Sequence, residues 1–105
     1  MMSFSFPKQF LWGSATAGHQ VEGNNDNSDF WAEEQVEGSP YQEKSGDAID
    51  HYNLYKEDIA LMASLGLKVF RFSIEWSRIE PEPGQYSQAA LDHYRTFLKH
   101  AMPII

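Results

Sequence analysis

Residues 69–76 show the most regular alternation of apolar and polar side chains in the chain. An extended strand places alternate side chains on opposite faces, so one face carries Phe70, Phe72, Ile74 and Trp76. The opposite face then carries Val69, Arg71, Ser73 and Glu75. We predict a β-strand over residues 69–76, with its apolar row against helices and its second row, including Arg71 and Glu75, on the inner face of the sheet.

Two segments have helical periodicity instead. Residues 47–65 repeat large side chains at spacings of three and four, namely Tyr52, Tyr55, Ile59 and Met62. Ser45 or Asp47 is the predicted N-cap of this helix, and Gly66 is suited to follow its last turn. A second helix is predicted from an N-cap at Ser87 to about residue 101. Its predicted apolar face consists of Leu91, Tyr94, Leu98 and Ala101.

The remaining segments predict strands and loops. Residues 6–16 are interpreted as a leading loop and a buried first strand that breaks at Gly13, and residues 24–47 as a long polar surface loop. The Pro- and Gly-containing residues 80–84 predict a turn rather than a site. The segment from Pro103 to Ile105 resembles the start of a third strand.

This order of elements predicts an α/β fold with parallel strands and right-handed crossovers. Two strands with helices on one face leave both sheet edges open and the opposite face bare. The organisation is similar to the first two βα units, a quarter, of a (β/α)8 TIM barrel, a fold that needs roughly 250 residues. We therefore expect the 105 residues to contain no complete domain.

Composition excludes several classes of protein. A net charge of −7 disfavours nucleic-acid binding, because phosphate backbones repel acidic surfaces. The chain has no cysteine, so disulfides and thiolate metal sites are excluded, and a reducing, cytoplasmic location is expected. No apolar run approaches the ~18 residues of a membrane span, and the first residues lack the pattern of a signal peptide. The acidic residues Glu33, Glu34 and Glu37 have no metal-ligand spacing and are expected to be solvated.

Several polar residues are candidates for chemistry. His19, Gln20 and Glu22 follow the first predicted strand, at the position where α/β folds bind ligands. For Glu22 we favour a hydrogen-bonding role in the loop over a role as acid/base. His51 could act as a general base, but its place in the first turn of a helix favours packing or capping. Trp31 could line a ligand site or anchor its loop.

Three motifs carry a resemblance to a known family. FLWGSAT at residues 10–16 precedes Gln20-Val21-Glu22-Gly23, DHYNLYKEDIALMASLGLKVFRFS covers residues 50–73, and RFSIEWSR covers residues 71–78. Together they resemble glycoside hydrolase family 1, the β-glucosidase-like (β/α)8 barrels. The resemblance implies that residues 1–105 are an N-terminal part of a single barrel catalytic domain.

The resemblance also implies roles for individual residues. The family arginine that matches Arg71 contacts the catalytic nucleophile, and the family glutamine that matches Gln20 hydrogen-bonds sugar hydroxyls. A buried arginine needs a carboxylate partner, and an amide can both donate to and accept from vicinal hydroxyls. His19 replaces an aromatic residue found in many members and is a further candidate for sugar binding.

The implied activity is hydrolysis of β-glycosides or oligosaccharides with retention, without metal or cofactor. The two catalytic glutamates of the family lie in Asn-Glu-Pro and Glu-Asn-Gly motifs, and neither motif occurs here. Both glutamates, the acid/base and the nucleophile, are therefore expected beyond Ile105.

We accordingly expect the chain alone to be truncated and inactive. The connection at residues 99–103 is shorter than in the family, which favours a truncated or frame-shifted product. A non-catalytic carbohydrate-binding fragment and a functionless remnant remain alternatives.

Overall fold

The computed structural model describes residues 2–103. The third strand predicted from Pro103 to Ile105 therefore lies mostly outside the described residues, and so do the two catalytic glutamates expected beyond Ile105. The described elements alternate strands and helices in the predicted order, with three additional short helices. They are β1 (Gly13–Ala15), α1 (Gly18–Val21), α2 (Asp29–Glu34), α3 (His51–Ser64), β2 (Val69–Arg71), α4 (Trp76–Ile79) and α5 (Gln88–Ala101).

The two strands pair in parallel, as predicted, with Ser14 opposite Phe70 and Ala15 opposite Arg71. The strand predicted over residues 69–76 is too long, because β2 ends at Arg71 and α4 begins at Trp76. The last ladder bond runs from the Thr16 N–H to the Arg71 carbonyl, at 3.0 Å. Beyond it the first strand turns into α1, so the residues after Arg71 lose their pairing partner among the described residues.

The prediction of a buried first strand that breaks at Gly13 is wrong. Gly13 lies within β1, and both Gly13 and Ala15 are exposed. These two residues share a face with Val69 and Arg71, and no described element covers that face. The open face confirms the expectation that two βα units leave one side of the sheet bare.

The other face of the sheet carries the core. Phe70 and Phe72 pack against three buried side chains of α3 and α5, as the alternation predicted. These are Tyr55, Ile59 and Phe97. The predicted row fails further along, because Ile74 is 46% exposed and Trp76, which starts α4, is 59% exposed.

A second cluster joins α3, α4 and α5 through Tyr52, Ile79, Ala90 and Tyr94. The buried residues of α5 are Ala90, Tyr94 and Phe97, whereas the predicted face positions Leu91 and Leu98 are exposed. The helical period was correct, but the buried face is rotated towards α3 and α4.

The start of α3 also differs from the prediction. The helix begins at His51, after a turn in which Asp50 adopts a φ of 52° and makes no capping bond through its side chain. The two predicted caps have tertiary partners instead. The Ser45 hydroxyl donates to Glu34 at 3.0 Å, and Asp47 accepts from Asn24 at 2.7 Å.

Two other helix-end predictions are confirmed. The Ser87 hydroxyl oxygen accepts from the Ala90 N–H at the start of α5. Gly66 has a φ of 82°, and its N–H donates to the Ala63 carbonyl at 3.0 Å, directly after α3. The left-handed conformation that ends this helix suits glycine, which has no Cβ to oppose it.

Candidate functional site

The candidate site lies at the carboxyl edge of the two-stranded sheet. Parallel strands end at the same edge, so the segments that follow β1 and β2 meet there. We call the contacts between residues 22–27 and residues 75–81 the loop junction. In it, the Asn27 amide donates to the Ser77 and Pro81 carbonyls, both at 3.1 Å, and Arg78 donates to the Gly23 carbonyl at 2.8 Å.

Glu22 is at the buried centre of the loop junction, with 4% of its surface exposed. The Tyr94 hydroxyl of α5 donates to its two carboxylate oxygens at 2.5 and 2.8 Å. The same hydroxyl accepts from the Glu75 N–H at 3.1 Å, and the Arg78 Nε lies 3.5 Å from Glu22. These contacts tie the loop after β1 to α5, which confirms the hydrogen-bonding interpretation of Glu22.

Burial raises the pKa of the Glu22 carboxyl, and the nearby Glu75 carboxylate adds to that rise. The Tyr94 hydrogen bond and the Arg78 charge oppose it, and the net pKa stays above the ordinary 4.5. A raised carboxyl pKa favours folding increasingly as the pH falls from that raised value towards 4.5. Burial and the Glu22 carboxylate raise the pKa of Tyr94 far above its ordinary value, so the hydroxyl remains a donor.

His19 belongs to a second polar network on the same loop. Its Nε2 lies 2.6 Å from Glu34 Oε1 of α2, and its Nδ1 lies 3.2 Å from the Asn25 amide nitrogen and 3.4 Å from the Ser28 hydroxyl. Its ring also lies 5.4 Å from that of Phe30. Both ring nitrogens therefore already have partners within the loop.

Glu34 is only 7% exposed, so the expectation of a solvated carboxylate is wrong. Its second oxygen accepts from the N–H and the hydroxyl of Ser45, at 3.1 and 3.0 Å. Burial raises the pKa of Glu34, but the hydrogen bonds from His19 and Ser45 outweigh it and the net pKa is lowered. Local sequence around Glu34 could not reveal this, because Ser45 lies eleven residues away.

Gln20 and Arg71 differ from these residues because their side chains are exposed. Gln20 lies on α1 and, with His19, lines an open groove of about 350 Å³ that Arg71 does not line. Arg71 lies at the end of β2 on the bare face of the sheet. Within residues 2–103, neither side chain forms a hydrogen bond or ion pair, so the carboxylate expected beside Arg71 is not among the described residues.

His51 has a packing role, in agreement with the favoured interpretation. It is the first residue of α3 and is 6% exposed. Its Nδ1 lies 2.6 Å from Asp58, and its ring meets the rings of Phe70 and Phe97 edge-on. Trp31 is half-buried on α2.

Sequence reasoning did not single out Asn25 or Arg78, although both hold the site together. Asn25 lies in a run of polar residues with no periodicity, so nothing in the sequence distinguishes it from its neighbours. Among residues 2–103, no group of three or more His, Asp or Glu side chains is placed to hold a metal ion. No helix of the same range is both long and apolar enough to cross a membrane.

Comparison with known proteins gives the family. Residues 2–102 match the family model described as "Glycosyl hydrolase family 1". The chain belongs to glycosyl hydrolase family 1. It is 43% identical over 101 residues to "Aryl-phospho-beta-D-glucosidase BglC" of Bacillus subtilis. This alignment covers 90% of this chain and 21% of that protein. It is 44% identical over 102 residues to "Beta-glucosidase A" of Acetivibrio thermocellus, covering 90% and 23% respectively.

Solved structures of family members superpose on the fold. The beta-glycosidase BGL167 matches with a TM-score of 0.87 and 60% identity, over 93% of this chain and 24% of that one. The beta-glycosidase from Pyrococcus horikoshii matches with a TM-score of 0.83 and 42% identity, over 97% and 24%. The predicted fold class, two βα units of a (β/α)8 barrel, is confirmed. The family 1 chain spans about a fifth to a quarter of these relatives' lengths.

Proposed function

We propose that this family 1 segment serves a retaining β-glycosidase that hydrolyses β-glycosides or oligosaccharides. The family and the β-glucosidase names of its relatives support this reaction. Retention requires two carboxylates about 5–5.5 Å apart, one as nucleophile and one as acid/base. Glu22 and Glu34 are buried in structural hydrogen bonds, and Glu75 accepts from Asn25 at 2.9 Å, so these carboxylates have structural partners. Because the Asn-Glu-Pro and Glu-Asn-Gly motifs of the family do not occur in the chain, we place both reacting carboxylates beyond Ile105.

The observation that carries the proposal is the exposure of Gln20 and Arg71, in contrast to the paired side chains of His19, Glu22 and Asn25 nearby. Holding an amide and a guanidinium in place without local partners suits groups whose partners are a sugar and a carboxylate outside residues 2–103. We assign Gln20 to sugar hydroxyls and Arg71 to the nucleophile. For His19, the paired ring nitrogens favour a role in shaping the loop over direct sugar binding.

Two further points complete the proposal. We place residues 1–105 in one barrel catalytic domain that continues beyond them, and we expect no turnover by the isolated chain. We also propose a cytoplasmic location, because a sequence without cysteine suits a reducing compartment.

The test is a chimaeric enzyme in which residues 2–102 replace the matching segment of the Acetivibrio thermocellus β-glucosidase A. In the chimaera, we expect Gln20→Ala to cost about 1–3 kcal/mol of transition-state stabilisation, roughly 5- to 150-fold in kcat/KM. The loss should differ between a glucoside and a galactoside, because epimers present their hydroxyls differently. The matched control is Gln42→Ala, which removes an exposed amide from the long loop.

Arg71→Ala should affect both sugars about equally, because Arg71 contacts the enzyme rather than the substrate. It should also raise the pKa of the nucleophile and move the acidic limb of the pH–rate profile to higher pH. Arg95→Ala removes an exposed arginine of α5 and serves as the control. An Arg71→Ala variant that discriminates between the sugars and keeps its acidic limb would show that the assignment is wrong.

A further inference from the structure

The orientation of the Asn25 side chain is determined by its neighbours. Asn25 is 3% exposed, and its amide nitrogen lies 2.9 Å from Glu75 Oε2. Its amide oxygen lies 3.2 Å from the Ser77 hydroxyl, which also contacts Glu75 Oε1 at 3.0 Å. A carboxylate oxygen accepts hydrogen bonds, so the NH₂ group must face Glu75, and the flipped amide would place two acceptors together.

This orientation determines where His19 carries its proton. The NH₂ group of Asn25 also faces His19 Nδ1 at 3.2 Å, nearer than the Ser28 hydroxyl oxygen at 3.4 Å, so Nδ1 supplies a lone pair to the amide. The ring proton then lies on Nε2 and is donated to Glu34 Oε1 at 2.6 Å. The hydrogen bonds then run in one direction from Asn25 through His19 to Glu34.

We propose that Asn25 is a positioning residue that holds His19 as the neutral Nε2–H tautomer and thereby orients α1 and Gln20. The arrangement at His19 is independent of the proposed function. Only its expected effect on sugar binding, through Gln20, rests on that function. Gln20 directly follows His19 on α1, a helix of four residues. A short helix has few internal bonds, so side-chain contacts to the neighbouring loops set its orientation.

The groups that face the His19 ring come from three elements. Glu34 and Phe30 belong to α2, and Asn25 and Ser28 belong to the loop before it. Glu75, from the segment after β2, acts through Asn25. A proton on Nδ1 would point at the Asn25 NH₂ group, so two donors would meet there.

The substitution Asn25→Asp reverses this arrangement. It replaces the NH₂ group beside Nδ1 with a carboxylate oxygen, which accepts, so Nδ1 now faces an acceptor and carries a proton. The same carboxylate also meets Glu75, and the two carboxyl groups share a proton there. In the chimaera with ¹⁵N-labelled histidine, the unmodified protein should show an unprotonated Nδ1 and a protonated Nε2 for His19 at neutral pH. Asn25→Asp should show a protonated Nδ1. The His19 signals are identified by their loss in His19→Phe.

Asn27→Asp is the matched control. The Asn27 amide also joins the two loops, through the Ser77 and Pro81 carbonyls, but it does not contact His19. It should leave the His19 tautomer unchanged. A protonated Nδ1 in the unmodified protein would overturn the proposal. That measurement uses no variant, so it does not depend on whether a variant folds.

Kinetics test the link to Gln20. Asn25→Asp should lower kcat/KM for an aryl β-glucoside about tenfold by displacing Gln20, and should add little in a Gln20→Ala background. The fold-losses in kcat/KM caused by Asn27→Asp and by Gln20→Ala should instead multiply in the double variant. If the fold-losses of Asn25→Asp and Gln20→Ala multiply fully in the double variant, the positioning role is overturned. If Gln20→Ala alone has no effect, the sugar assignment fails, while the tautomer measurement still decides the arrangement at His19.

Discussion

The isolated chain of residues 1–105 should not fold cooperatively, because its fold leaves too much surface exposed. The structure exposes 7841 Å² for a mass of 12.0 kDa. A compact monomer of that mass exposes roughly 6,000 Å². The radius of gyration of the structure is 17.0 Å, compared with about 13 Å for a compact domain of the same length.

The excess surface includes large apolar side chains. Phe6, Phe10 and Trp12 form an aromatic cluster with ring centroids 4.5 to 5.0 Å apart, yet remain 58%, 46% and 52% exposed. Val69 on the bare sheet face is 41% exposed. These side chains would be available to other chains, as would the open edges of the two strands.

The excess area gives the free energy of burial that the isolated chain lacks. About 1,800 Å² of additional exposed surface, with somewhat more than half of it apolar, forgoes roughly 25 kcal/mol at ~25 cal/mol per Å². Natural domains have a net stability of only about 5–15 kcal/mol. Even half of the forgone burial would therefore be comparable to the whole stability of an ordinary domain.

Sedimentation, thermal unfolding followed by circular dichroism, and hydrogen exchange of the isolated chain test this expectation. We expect self-association, a broad transition and weak protection of the β1 and β2 amides. The same residues in the chimaera should be protected, which controls for any intrinsic weakness of the sequence. A monomer with a sharp, reversible transition would refute the reasoning and favour an independent sugar-binding module.

Two substitutions in the chimaera test the contacts of the loop that follows β1. Tyr94→Phe should cost about 2–4 kcal/mol at neutral pH, because it leaves the buried Glu22 carboxylate without its hydroxyl donor. That bond favours the ionised carboxyl, so the loss of unfolding free energy should shrink as the pH falls towards 4.5. A loss that is independent of pH in denaturant unfolding would contradict the assignment. Gly23→Ala should cost about 3 kcal/mol or more in the same assay, because Gly23 has a φ of 87° and a Cβ would lie 2.3 Å from the Asp47 carbonyl oxygen. Gly38→Ala, at a φ of 79° in open space, should cost only about 1 kcal/mol, and equal losses would rule out the close contact as the cause.

The sequence by itself determined the order of the elements, the parallel pairing and the direction of several side chains. Phe70 and Phe72 face the helices, and Arg71 faces the opposite side, because alternation is a property of the extended backbone. Ser87 and Gly66 bound their helices as predicted, because capping involves only a few neighbouring residues. The family motifs were likewise readable without coordinates.

Tertiary structure decided the features that depend on distant partners. The length of β2 depends on where β1 stops pairing, and the start of α3 depends on partners that occupy Ser45 and Asp47. The Tyr94–Glu22 hydrogen bond joins residues 72 positions apart, and Asn25 reaches Glu75 across 50. Local periodicity carries no information about such contacts, because a side chain's partner is set by how the chain folds back on itself.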